Sequence, residues 1–89
     1  MAEVVFAPAL QRHHPCAPQR VDATTVAAAL EAAFVAAPPL RGYVLDDQGC
    51  LRRHVAVFVD ERALCDRRLL SDAVGAESRI YVVQALSGG

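Results

Sequence analysis

The sequence predicts an α+β fold: a mixed sheet of four to five strands covered on one face by a single main helix. Three observations lead there. The stretches "EVVFAPAL" and "RIYVVQAL", near the two ends, alternate and are rich in β-formers. "CLRRHVAVFVDER" is the strongest strand of all, and "DATTVAAALEAAFVAAPP" between them has helical periodicity. In 89 residues these pieces make one domain, because a chain this short buries only roughly 60–65% of its unfolded surface and has no core to divide.

The elements follow in order. In the first strand Val4 and Phe6 point one way and Val5 and Ala7 the other, until Pro8 marks a strand end or an edge. "QRHHPCAPQ" carries two prolines and reads as a loop before a short second strand near Arg20 to Asp22. Thr24 is a good N-cap for the helix and Pro38-Pro39 end it. Val26, Leu30, Ala33 and Phe34 share one helical face, an apolar stripe that needs a sheet to lie on. "LRGYVLDDQG" is a turn-rich connection, with Asp46-Asp47-Gln48-Gly49 supplying the turn. The long strand then sets Val55, Val57 and Val59 against His54, Ala56 and Phe58, and Asp60-Glu61 turns the chain toward a short strand within Ala63 to Cys65. "LLSDAVGAES" is irregular, and in the last strand Ile80 and Val82 oppose Tyr81 and Val83.

Composition narrows the function classes. Of the 54% hydrophobic residues seventeen are alanine, so valine, leucine and three phenylalanines must supply a thin core. No run approaches the roughly 20 apolar residues of a membrane span, and Glu3 argues against a signal peptide, so a cytoplasmic protein is expected. Cys16, Cys50 and Cys65 are odd in number and widely spaced, which fits reduced thiols. A net charge of −1, with no basic cluster beyond Arg52-Arg53 and Arg67-Arg68, argues against nucleic acid as a partner. Those pairs read as solubilising charge or as guidance for an acidic partner. All nine cations are arginine, so the chain offers no side-chain amine. His13-His14-Pro15-Cys16 has metal-ligand types, but only distant His54 and the other cysteines could complete a set, and no metal site is expected. Asp46-Asp47 read as turn formers, not as a catalytic dyad.

The order strand, strand, helix, strand, short strand, strand has a topological consequence. A right-handed crossover through the helix places the first and last strands side by side as a parallel central pair, which is the β-grasp or ubiquitin-like plan. The domain then spans residues 1–84, and residues 85–89 form a flexible C-terminal tail.

At this point "HVAVFVDER", "LSDAVGAESRIYVVQAL" and the terminal "SGG" resemble the small sulfur carriers of molybdopterin and thiamine synthesis, the MoaD/ThiS family, and related carriers of cysteine biosynthesis. The likeness extends over "TTVAAALEAAF" and "LDDQGCLRRHVAVFV". Val59-Asp60-Glu61, "GAESRI" and Gln84-Ala85 depart from the usual family wording.

The resemblance implies a chemistry. A ubiquitin-activating-like adenylyltransferase would adenylate Gly89 with ATP and magnesium. Sulfur from a persulfide on a desulfurase, a rhodanese-like protein or the activating enzyme would displace AMP. The resulting thiocarboxylate on Gly89 would serve an acceptor synthase. Leu86 and Ser87 lead to Gly88 and Gly89, which are thin enough to enter an enclosed site. No side chain performs catalysis on this reading; the chain is a carrier without a permanently bound cofactor. Strand parity puts Val5, Ala7, Phe58, Tyr81 and Val83 on the open sheet face, where family members dock partners, unless the loop after Cys65 covers part of it. Two alternatives stay open: a modifier joined through Gly89 to lysines of targets, and an interaction module in which Gly-Gly is incidental. The acceptor pathway is not legible in the residues.

Overall fold

Alternation of buried and half-buried residues builds the sheet. A computed structural model of the chain describes residues 1–84. Strands β1 (Ala2–Phe6) and β3 (Val55–Val59) share one pattern, with every second residue buried. β2 is Gln19–Val21, β4 is Arg62–Ala63 and β5 is Arg79–Gln84. The five strands lie in the order β2-β1-β5-β3-β4. β5 occupies the centre, parallel to β1 from Glu3 opposite Arg79 to Phe6 opposite Val82, and antiparallel to β3 from Val55 opposite Gln84 to Val59 opposite Ile80. The predicted parallel central pair is present, and the fold is the β-grasp.

One face of this sheet is the core. Val4, Phe6, Val55, Val57, Val59, Ile80 and Val82 lie on it, all at most 4% exposed. Helix α2 (Val26–Phe34) lays its stripe there, with Val26, Ala29, Leu30, Ala33 and Phe34 buried. The Phe6 and Phe34 rings stack at 5.9 Å between centroids. Each large side chain so buried contributes roughly 1.5–3 kcal/mol.

Four local readings need correction. The N-cap of α2 is Thr25, whose Oγ1 accepts from the Ala28 N–H at 3.2 Å; Thr24 instead gives its carbonyl to the Val74 N–H and holds a crossing segment. Pro38-Pro39 do not simply end a helix: α2 stops at Phe34, and Pro38 opens a further helix, α3 (Pro38–Val44), where the missing N–H of proline costs nothing. Leu40 and Val44 bury its inner face, so half of the expected turn-rich connection is helical. Pro8 likewise starts one turn of helix, α1 (Pro8–Gln11), with Leu10 buried. The short strands fall at Gln19–Val21 and Arg62–Ala63, each shifted toward the N-terminus.

The turns behave as their residues dictate. Asp46 Oδ1 accepts from the Gln48 and Cys50 N–H groups at 2.8 and 3.0 Å, and Gly49 takes φ +80°. Among the described residues no helix is long and apolar enough to cross a membrane.

Candidate functional site

The residues opposite the core define the candidate surface. Val5 on β1, Tyr81 on β5 and Phe58 on β3 stand in one row across three adjacent strands, and Ala63 on β4 continues it. Val83 lies one step along β5, opposite Ala56. Tyr81 is 38% exposed, and Val5, Phe58, Val83 and Ala56 are half-buried, so an apolar strip crosses an otherwise solvated face. Its width follows from strand spacing of about 4.8 Å across three strands, with side chains of one row in mutual reach.

Ala7 does not belong to that strip. It lies beyond β1, at the N-cap of α1, and is only 7% exposed. Its N–H donates to the Val82 carbonyl at 2.8 Å, so the residue extends the β1–β5 pairing and is buried there. Ala56, already on the face of Phe58 by parity, and Ala63, opposite Phe58 on β4, also belong to the strip; neither small side chain stands out in the sequence as a docking residue. Leu86, Ser87, Gly88 and Gly89, and with them the expected tail of residues 85–89, lie outside the described residues.

The loop after Cys65 sits elsewhere. The Leu70 and Asp72 carbonyls accept from the Ala27 and Val26 N–H groups, and the Arg67 carbonyl from the Leu51 N–H, all at 2.9–3.0 Å. The loop therefore closes the start of α2 on the helix side. Asp66 organises it: Oδ1 accepts from the Arg68 and Leu69 N–H groups, and Oδ2 from the Ser71 hydroxyl at 2.6 Å. Those bonds, the Ser71 hydroxyl foremost, hold the Asp66 carboxyl down to about 2. Asp72 accepts from the Cys65 and Asp66 N–H groups, which lower its carboxyl as well.

The other candidate groups have structural partners. The His13 ring stacks on Tyr43, centroids 4.0 Å apart. Cys16 is buried, which pushes its thiol up, while Cys50 is half-buried and Cys65 exposed. Among the described residues no group of three metal-ligating side chains is close enough to hold an ion. Arg67 is a brace, with one guanidinium nitrogen donating to the Arg52 and Val55 carbonyls, each at 2.8 Å. Arg52 donates to the Gly42 carbonyl at 2.7 Å.

A parallel β1–β5 core, one main helix and an apolar strip on the uncovered sheet face define a ubiquitin-like protein. No family model and no curated protein matches the chain. Solved structures do. The chain is similar to the small archaeal modifier protein SAMP1 of Haloferax volcanii, at 28% identity over 99% of this chain and 98% of that one, with a TM-score of 0.82. It is similar in fold to a chain of the Amycolatopsis orientalis BexX/CysO complex, at 15% identity, full coverage of both chains and a TM-score of 0.83. Mycobacterium tuberculosis CysO has a TM-score of 0.80 at 16% identity, over 97% of this chain and 100% of that one. These neighbours are ubiquitin-like β-grasp proteins of the MoaD/ThiS type, the resemblance read from the sequence. In fold the chain stands with these small ubiquitin-like proteins.

Proposed function

We propose that the chain is a sulfur carrier whose working atom is the carboxyl carbon of Gly89. One observation carries the reading: β5, the strand that leads toward "ALSGG", is the central strand, hydrogen-bonded on both sides, and the apolar strip of the open face includes Tyr81 and Val83 on that same strand. A partner seated on the strip is thereby set beside the strand that feeds the terminus. The likeness to small ubiquitin-like proteins supports it.

A Gly89 carboxylate oxygen attacks the α-phosphorus of magnesium-bound ATP on an activating enzyme and expels pyrophosphate. The terminal sulfur of a donor persulfide attacks the acyl adenylate and expels AMP, leaving an acyl disulfide. A thiol then attacks the donor-side sulfur; it forms a disulfide with the donor, and the thiocarboxylate departs with the electron pair of the broken S–S bond. Glycine at both terminal positions leaves no Cβ to obstruct these approaches. The chain is then a co-substrate of enzymes: activating enzyme, sulfur donor and acceptor synthase.

The test is mass spectrometry of the protein after incubation with ATP, a persulfide donor and the activating enzymes of its own organism. The C-terminal peptide is expected to gain the mass difference between sulfur and oxygen. Failure with every such enzyme overturns the reading. The likeness to a small archaeal modifier protein favours a second reading, in which the amine of a target lysine attacks the activated Gly89 and an isopeptide forms. Denaturing gels of cell extract then show higher-mass adducts carrying the chain. Deleting Gly88 and Gly89 abolishes function on either reading and leaves it intact for a plain interaction module.

A further inference from the structure

The open sheet face carries more than the apolar strip. At the start of β5, the end away from Gln84, Phe58, Asp60, Glu61, Arg79 and Tyr81 line a hollow of about 500 Å³. Two aromatic residues line it, Phe58 and Tyr81, which are directly paired across β3 and β5. The β3–β4 turn adds the two carboxylates.

The charges in the hollow are uneven. Arg79 Nε donates to Glu3 Oε1 at 3.2 Å, so the guanidinium is already engaged. Asp60 Oδ1 accepts the Arg79 backbone N–H at 2.9 Å, which fixes that carboxylate in place. The Glu61 carboxylate has no hydrogen bond or ion pair among the described residues and is exposed. Arg62 pairs in register with Val59 and lines a separate depression with Cys65 and Asp72, and its charge acts on the Asp60 carboxylate, which leaves Glu61 as the carboxylate without a partner among the described residues. The hollow thus presents aromatic side chains together with two carboxylates, of which Glu61 has no ion pair among the described residues. A guanidinium suits that combination better than an ammonium, because its plane stacks on a ring while its fork reaches carboxylate oxygens.

We propose that this hollow receives an arginine side chain of the protein that docks on the open sheet face, stacked on Phe58 and Tyr81 and paired with Asp60 and Glu61. The inference rests on the docking role given to that face above. Phe58 and Tyr81 belong to both the strip and the hollow, so one partner covers both. Tyr81 and Arg79 lie about 10–16 Å back along β5 from Gln84, counted at roughly 3.3 Å per residue. An arginine anchored there, with apolar contacts nearer Gln84, fixes the direction in which β5 points at the partner.

The test uses the full chain labelled with 15N and titrated with N-acetyl-arginine amide and, separately, N-acetyl-lysine amide. Shift changes are expected at the amides of Phe58, Asp60, Glu61, Arg79 and Tyr81, with the arginine amide acting at about three-fold lower concentration or better. Glu61→Gln and Tyr81→Leu are each expected to weaken that response by about three-fold or more while the remaining resonances stay in place. Shifts scattered over the surface, equal responses to the two amides, or an unchanged response in Glu61→Gln overturn the proposal. With the organism's activating enzyme, Glu61→Arg is expected to raise KM for the carrier and leave kcat unchanged; an unchanged KM also overturns it. If the native chain never gains sulfur, the carrier function fails, while the titration still decides whether the hollow takes a guanidinium.

Discussion

Asp60 and Glu61 join β3 to β4 with φ of 49° and 71°, both in the left-handed region. A two-residue hairpin loop demands that conformation because its twist matches the strands, and glycine is its usual second residue. Left-handed backbone costs a residue with a Cβ roughly 1–2 kcal/mol, part of which glycine would lose again through its freer unfolded chain. Glu61→Gly is therefore expected to raise stability by about 0.5–1 kcal/mol in urea unfolding. Asp66 makes a second prediction, this time on pH. Its carboxyl falls from the ordinary 3.8 to about 2 in the fold, so the folded state binds the proton less well than the unfolded one. The stabilisation is then complete above about pH 4 and disappears as pH falls toward 2. Urea midpoints measured across that window are expected to drop, and to drop less steeply in Asp66→Asn. Asp60 and Asp72 are lowered too, so some slope persists in the variant.

At the scale of the element, helix α2 tests which threonine caps it. Thr25 Oγ1 bonds the Ala28 N–H, whereas Thr24 contributes a backbone carbonyl that any residue could supply. Thr25→Ala is expected to cost about 1 kcal/mol and Thr24→Ala a few tenths, read from thermal or urea unfolding. The sequence could not separate them, because adjacent threonines before an apolar run satisfy the same capping pattern. Legibility elsewhere followed the physics of each signal. Period-two alternation made the two faces of β1, β3 and β5 readable, and with them Val5, Phe58, Tyr81 and Val83 on the open face, while the strand ends moved by a residue or more. Proline was ambiguous: Pro8 and Pro38 end one element and begin the next, and only tertiary contacts of Leu10, Leu40 and Val44 show that helices follow. Ala7 was misplaced for the same reason, its parity being that of an exposed strand residue although α1 begins there. The hollow beside Tyr81 was illegible because it joins Asp60-Glu61 to Arg79 across a turn and a strand pair nineteen residues apart.

For the whole molecule, the two faces of the layer differ in the side chains they offer to a partner. The outer face of α2 is small and nearly featureless, with Ala28 and Ala32 exposed, and its Glu31 tied to Arg41 at 3.0 Å. The open sheet face gathers Val5, Tyr81, Phe58 and Val83 around the central strand. If the sheet face is where partners sit, a carboxylate placed there must hinder transfer, whereas one placed on the helix must not. Val83→Asp is expected to lower kcat/KM for sulfur loading of Gly89 by about ten-fold or more, as truncation at the centre of an interface does. Ala28→Glu is the matching control. It adds the same charge at the third helical position, where it completes a Thr25-x-x-Glu capping box and should stabilise α2 by a few tenths of a kcal/mol, about what such caps contribute. Circular dichroism and urea unfolding establish that both variants are folded, and loading is then compared at limiting carrier. Equal loading of the two variants would remove the open face from the docking role and return its apolar strip to the status of ordinary surface.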